Sequence, residues 1–290
     1  NVFLNWIEKQ QQKIPVKRPI HRQGKTYFAI RWMSPEEIEQ GKTRRYSLLA
    51  KINRDNKEKI HTDVKNAFKG QINIDTLRRI YSPKNKEYQV EIVESTLEPG
   101  DISKLSLKIN LLDNAGKNIG FMNRHFFIRS DGRITVFHDP VKISSEEHRY
   151  LFNEVNKGME DEYMKHGIEA IESQAKNNTA YLRALQGYDF STGLEIERIK
   201  KVFRKYIASK QDLSYGKKRQ LMYGINDPTN AISKLTNSWD FACWNPFNEK
   251  IGEHIGKKLM LQTSWKARKT LNPNNVGFKI GMKYWESQVK

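Results

Sequence analysis

The stretch that most constrains the fold lies between Tyr88 and Ile143. Leu105-Ser106-Leu107-Lys108-Ile109 alternates apolar and polar residues, the period of a strand with one face in a core. It leads into the turn Asp113-Asn114-Ala115-Gly116-Lys117-Asn118 and then into the apolar and aromatic run 119–128. Ser130-Asp131-Gly132-Arg133 is a tight turn carrying the Asp-Gly pair that hairpins favour, and 133–138 is a further strand. With the strand-like 88–93, residues 88–143 read as three or four antiparallel strands joined by hairpins. A chain with this segment must build a sheet and cover one of its faces.

Helical signals flank the meander. Residues 58–69 and 73–81 have helical patterns, and 1–14 could form a short amphipathic helix carrying Phe3, Trp6 and Ile7. Pro15 and Pro19 predict a break in regular structure after it, and Tyr27–Trp32 reads as a strand. Ser34-Pro35-Glu36-Glu37 and Ser144-Ser145-Glu146-Glu147 are helix starts, each a capping Ser followed by early acids. Ser82-Pro83-Lys84-Asn85 signals a linker. After residue 147 a long helix carries Tyr150, Leu151, Val155, Met159 and Tyr163 and ends at Gly167. A strand (168–175) and a helix (177–186, stopped at Gly187) follow. Residues 195–207 form a basic amphipathic helix with Ile196, Ile199, Val202, Phe203 and Tyr206 on one face and Lys200, Lys201, Arg204 and Lys205 on the other. Residues 215–219 read as a basic turn. Trp239, Trp244, Trp265 and Trp285 predict a packed rather than loose C-terminal region.

The charge divides the same way. The chain has 290 residues and a net charge of +18. Residues 1–85 hold 19 Lys+Arg against 8 Asp+Glu, residues 86–191 hold 13 against 17, and residues 192–290 hold 19 against 8. This predicts three regions: a basic N-terminal region, an acidic central α/β domain, and a basic, largely helical C-terminal region. A field of this sign favours polyanions. The basic arms interleave aromatics with Arg22, Lys25, Arg31, Arg44 and Arg45, and with Lys200, Lys201, Arg204, Lys205, Lys217, Lys218, Arg219, Lys266, Arg268 and Lys269. Cations neutralise phosphates while exposed rings stack on bases. No base-reading motif is present, so the expected binding is non-specific and steeply salt-dependent. The bland alternative is that the lysines are solvated and the aromatics, the tryptophans above all, are core.

Other chemistry finds little support. One cysteine, Cys243, excludes an internal disulfide and a Cys-based zinc site. His125 and His138 could face each other across a hairpin, but two histidines without a third ligand give no metal site. There is no G-x-S-x-G and no P-loop; Gly252–Lys258 lacks P-loop spacing and reads as a basic helix. No apolar stretch reaches the ~18 residues of a membrane span, and no signal peptide is visible. The expected location is cytoplasmic or within an assembled virion. His138-Asp139, with His148 and Arg149 nearby, allows a base and an anion anchor. The alternative is an edge histidine followed by an Asp-Pro turn.

Residues 105–190 resemble the GNAT acyltransferase superfamily. The resemblance rests on element order, on the strand ITVFHDPVKI before a long helix, and on Asn177-Asn178-Thr179-Ala180 with Gly187-Tyr188 closing the next helix. It implies an α+β fold with a mixed, mostly antiparallel sheet and flanking helices, here between basic N- and C-terminal arms. It also implies a splayed strand pair holding the pantetheine arm of acetyl-CoA, with Val141, Ile143, His148, Arg149 and Asn177 at the cofactor. His138 and Tyr181 are then the catalytic candidates. The loop that should wrap the pyrophosphate reads Glu146-Glu147-His148-Arg149-Tyr150-Leu151-Phe152, with no glycine to let the backbone approach phosphate. Two functions follow. One is a non-catalytic or weakly catalytic GNAT-like protein with no cofactor, whose basic arms bind nucleic acid or another polyanion, a structural or genome-associated component of a larger assembly. The other is an active acetyl-CoA-dependent acyltransferase with an atypical loop.

Overall fold

The computed structural model describes residues 14–22, 25–33, 57–82, 88–144, 149–226, 228–250 and 253–287. Two compact units emerge from its backbone contacts, residues 1–59 and 60–290. In the first, β1 (Ile14–Arg22) and β2 (Lys25–Met33) form an antiparallel ribbon, with Arg22 opposite Lys25 and Arg31 opposite Val16. Pro15 and Pro19 therefore do not break the chain as their residue type predicts. Both lie inside a strand, four residues apart. Backbone N–H groups alternate in direction along a strand, so both prolines drop a donor from the same edge. The expected helices at 1–14 and from Ser34 lie outside the described residues, as do Arg44 and Arg45.

The boundary between the units falls within α1 (Lys57–Ala67), and the second unit continues with α2 (Ile74–Tyr81), which is capped by Asn73, whose side chain accepts from the Thr76 N–H at 2.8 Å. The meander follows as β3 (Tyr88–Glu98), β4 (Ile102–Asp113), β5 (Asn118–Arg129) and β6 (Ile134–His138). Each strand is antiparallel to the next. The turns fall where the sequence puts them, with Gly116 at φ 78° and Gly132 at φ 86° in the left-handed region. A two-residue strand β7 (Lys142–Ile143) returns to β5. Then come α3 (Arg149–Lys165), β8 (Ile168–Lys176), α4 (Asn178–Leu185) and the short β9 (Asp189–Phe190).

The remaining elements are α5 (Gly193–Ser209), α6 (Tyr215–Tyr223), a 3-10 turn (Ile232–Lys234), α7 (Ser238–Cys243), α8 (Ile255–Met260), β10 (Ser264–Thr270) and α9 (Val276–Ser287). Residues 215–219, expected as a turn, open a helix. Ser214 caps it by accepting from the Lys217 N–H at 3.2 Å, and Gly224 closes it at φ 75°.

The result is a mixed α+β fold around an eight-stranded, mostly antiparallel sheet in the order β3-β4-β5-β6-β8-β10-β9, with β7 on β5. Among the described strands only β6 and β8 pair in parallel. One face carries the core, with Met122, Phe126, Val136, Ile171, Ala267 and helical partners such as Leu77, Met159 and Ala184 all buried. The C-terminal region is part of this sheet: β10 lies between β8 and β9, antiparallel to both. An aromatic cluster ties the helices after β9 to it. Phe190 lies 4.9 Å from Trp265 and 5.6 Å from Phe241, and Phe203 lies 5.1 Å from Phe241 and 5.5 Å from Trp244, centroid to centroid. Trp244, Trp265 and Trp285 are buried, as expected of a packed region.

Candidate functional site

The sheet changes partners at His138. Up to that residue β6 pairs in parallel with β8, ending at His138 opposite Ser173. Beyond it the chain stays with β5, Lys142 opposite Phe121 and Ile143 opposite Gly120, while β8 continues along β10 to Lys176. The two parallel neighbours thus part after His138. Gly120 permits the return: a Cβ there would collide with the Lys142 carbonyl.

Beneath the parting lies a buried polar band. Strand alternation turns Arg124, His138 and Ser173 to the helix-covered face, and all three are buried. His138 Nε2 meets the Tyr163 hydroxyl of α3 at 3.1 Å, and Tyr163 hydrogen-bonds the Tyr81 hydroxyl of α2. Burial, with Arg124 and Arg183 adding like charge, pushes the His138 pKa well below the usual histidine value, so the ring is neutral at pH 7. Burial likewise pushes Tyr81 up to about 12. Arg124 donates to the carbonyls of Asn123 (2.8 Å) and Asp139 (3.2 Å), and its Nε has no partner. Among the described residues no carboxylate pairs with this guanidinium. Ser173 Oγ is also buried without a partner.

On the same face, Lys269 of β10 and Glu160 of α3 form an ion pair at 2.7 Å, 0% and 3% exposed. Burial drives the two pKa values toward each other, Glu160 up and Lys269 down. The opposite face carries a hydrogen-bonded row. Ser106 Oγ lies 2.9 Å from His125 Nδ1, and His125 Nε2 lies 3.1 Å from Asp139 Oδ2. His125 pairs with Phe137, not His138, so the two histidines lie on opposite faces and do not meet. Among the described residues no group of three His, Cys, Asp or Glu could hold a metal ion.

The catalytic candidates are not brought together. His138 is sealed in the core, whereas Tyr181 on α4 is half-buried beside the His254 ring (6.4 Å) and the Lys257 ammonium (5.6 Å). Of the cofactor candidates, Val141 packs against the core, Ile143 sits in β7, and Arg149 opens α3. Asn177 is exposed at φ 49°, between β8 and α4, and His148 lies outside the described residues.

The basic residues divide sharply. Lys269 and Lys200 are corrections to the polyanion-contact set. Lys269 is locked to Glu160, and Lys200 is buried with Nζ 3.3 Å from both the Ser233 carbonyl and Glu197. Arg268 is held by Glu172 and, at 3.3 Å, by Glu169. Lys201, Lys205, Lys217, Arg219 and Lys266 are exposed. Arg204 lies over the Tyr223 ring (5.8 Å) and Arg219 over the Tyr215 ring (5.7 Å), while Lys218 reaches back to the Ala208 carbonyl at 3.0 Å. Tyr215 is 76% and Tyr223 54% exposed, and of the nine residues of α6 only Leu221 is buried. Tyr223, Arg124 and the bonding of His125 to Ser106 and Asp139 were not singled out by the sequence. A signal existed for Arg124, which shares its phase with Met122, Phe126 and Ile128.

No protein-family model matches the chain, and no curated protein sequence does either. Among the described residues no helix is long and apolar enough to cross a membrane.

Proposed function

We propose that the chain is a GNAT-like scaffold that binds nucleic acid through the α5–α6 helix pair and does not transfer acyl groups. The observation that carries the binding half is the composition of that surface. Leaving out the buried Lys200, residues 193–224 hold eight Lys+Arg against three Asp+Glu. The cations flank two solvent-facing tyrosines on a helix that buries almost nothing. Exposed rings beside phosphate-neutralising cations suit single-stranded or unpaired nucleic acid, bound without sequence preference. Such binding fits a structural, genome-associated component.

The parting of β6 and β8 after His138 supports the scaffold, because that family's cofactor arm enters between such strands. The loss of transfer chemistry is supported by the side chains. His138, at the parting, is buried and hydrogen-bonded to Tyr163 instead of facing a substrate, and Tyr181 faces α7 and α8. A residue that must take a proton from a substrate needs hydrogen-bond reach to it.

Two measurements test this. Binding to random-sequence single-stranded DNA should weaken steeply between 50 and 200 mM salt. The variant Lys201→Glu/Lys205→Glu/Lys217→Glu should lose at least tenfold in affinity with an unchanged melting temperature. Salt-insensitive or absent DNA binding overturns the binding half. Acetyl-CoA binding at micromolar affinity by calorimetry overturns the loss of transfer chemistry.

A further inference from the structure

A cavity of about 410 Å³ opens between the β9–β10 edge and the start of α9, lined by Asp189, Trp239, Arg268, Thr270 and Asn275 among others. That volume lies within the range of small-molecule sites. It is separate from the parting of β6 and β8. Arg268 and Thr270 flank Lys269 on β10, so they point to the opposite face of the sheet from Lys269 and His138. Two strands, β8 and β10, separate β9 from β6 in the sheet order, with Asp189 next to Arg268.

The groups lining this cavity set the charge it accepts. Arg268 is the positive residue among them, and its guanidinium is bound to the carboxylates of Glu172 and Glu169. That cluster of one cation and two anions is net negative. Asp189 adds a second negative group. Its Oδ1 accepts from the N–H groups of Phe190 (2.8 Å) and Ser238 (3.0 Å), while Oδ2 takes no hydrogen bond among the described residues. Burial raises the Asp189 pKa on balance, against the lowering effect of the Ser238 and Phe190 N–H donors and with a smaller push upward from Asp240. A carboxyl held in this way gains most from a cation brought to it. Trp239 lines the same cavity, and an indole ring attracts cations to its π face. On a protein of net charge +18, this is a locally negative, partly enclosed site with an aromatic wall.

We propose that the cavity binds an organic cation, an alkylammonium or guanidinium group, with the charge on Asp189 Oδ2 and the apolar body against Trp239. Arg268 is a positioning residue, its own charge spent on Glu172 and Glu169. The same head group could come from a free polyamine or from a Lys or Arg side chain of a partner peptide.

The test uses the full chain labelled with 15N-tryptophan, with the Trp239 indole N–H assigned by Trp239→Phe. Spermidine and a blocked Gly-Lys-Gly tripeptide are titrated separately, with inorganic phosphate as the anionic counter-probe. A saturable shift of the Trp239 signal with either cation supports the site, and the tighter of the two names its source. Asp189→Asn keeps the Oδ1 acceptor for Phe190 and Ser238 and should weaken binding at least tenfold. Val276→Lys, at an exposed residue of the cavity rim, should compete from within and weaken it as well. No shift with either cation at millimolar concentration, or a shift with phosphate alone, overturns the proposal. So does unchanged affinity in both variants.

Discussion

Lys269→Met removes the cation from a pair that has no access to water. Lys269 is 0% and Glu160 3% exposed, with 2.7 Å between Nζ and Oε2. Without Lys269 the Glu160 carboxylate must stay buried unpaired or take up a proton. Breaking one side of such a pair costs about 3–5 kcal/mol. At about 2–4 °C per kcal/mol for a unit of this size, the melting temperature should fall by roughly 6–20 °C. Replacing both partners, Lys269→Met with Glu160→Leu, removes the stranded charge. The double variant should therefore recover most of the loss, because well-packed apolar substitutes for buried pairs are often neutral or better. The assay is urea unfolding of the single and double variants as a double-mutant cycle. A Lys269→Met loss below about 1 kcal/mol, or a double variant as unstable as the sum of its singles, would refute the reasoning. Nucleic-acid affinity measured at a temperature where the variant is folded should not change, since Lys269 reaches no surface.

His138 should make the fold acid-sensitive. Its folded pKa lies well below 6.5, so the unfolded chain binds more protons than the folded one just below that value. Stability is fully present above pH 6.5 and falls on acidification, by up to about 1.4 kcal/mol per pH unit from this group alone, and His138→Asn should flatten that slope. Gly187→Ala should destabilise by about 3 kcal/mol or more in thermal unfolding, since Gly187 sits at φ 79° and a Cβ would strike the Gly277 carbonyl. Asp131, which accepts from the Arg133 N–H at 3.0 Å, has its pKa held down by that hydrogen bond. Its turn should therefore be intact above pH 4 and loosen as the pH falls through the depressed value, read as faster amide exchange at Arg133; Asp131→Asn should abolish that pH dependence.

The meander was readable because each of its strands has one face in the core, so burial imposes period two on the sequence. Leu105, Leu107 and Ile109 keep that period, and the buried positions of β4 follow it. The amphipathic α5 was readable for the matching reason, with Ile199, Phe203 and Ile207 buried. Strand β10 was not. In Ser264–Thr270 three of seven residues are cations, and the usual meaning of such a stretch is a solvated surface. Its inward residue Lys269 is made tolerable by Glu160, 109 positions earlier, and local sequence cannot report a partner at that distance. Helix α6 was masked differently: Gly216 and three consecutive cations suggest a turn, yet Ser214 and Gly224 are the cap residues that define its ends. Of the candidate sites, the parting at His138 coincides with the Asp139-Pro140 step visible in the sequence. The cavity at Asp189 draws on residues from 187 to 277 and exists only once β10 is in place.

That placement also governs the order in which the molecule can be completed. During synthesis from the N-terminus, β8 and β9 emerge with no strand between them, and residues 191–263 must follow before the one that joins them exists. Until then one edge of β8 offers unsatisfied donors and acceptors to any chain nearby. The wait itself costs little in closure entropy, since doubling a loop adds only about 0.6 kcal/mol. The hazard is kinetic: a ribosome stalled before residue 264 would hold out a sheet with an open seam, ready to pair with its neighbour on the same message.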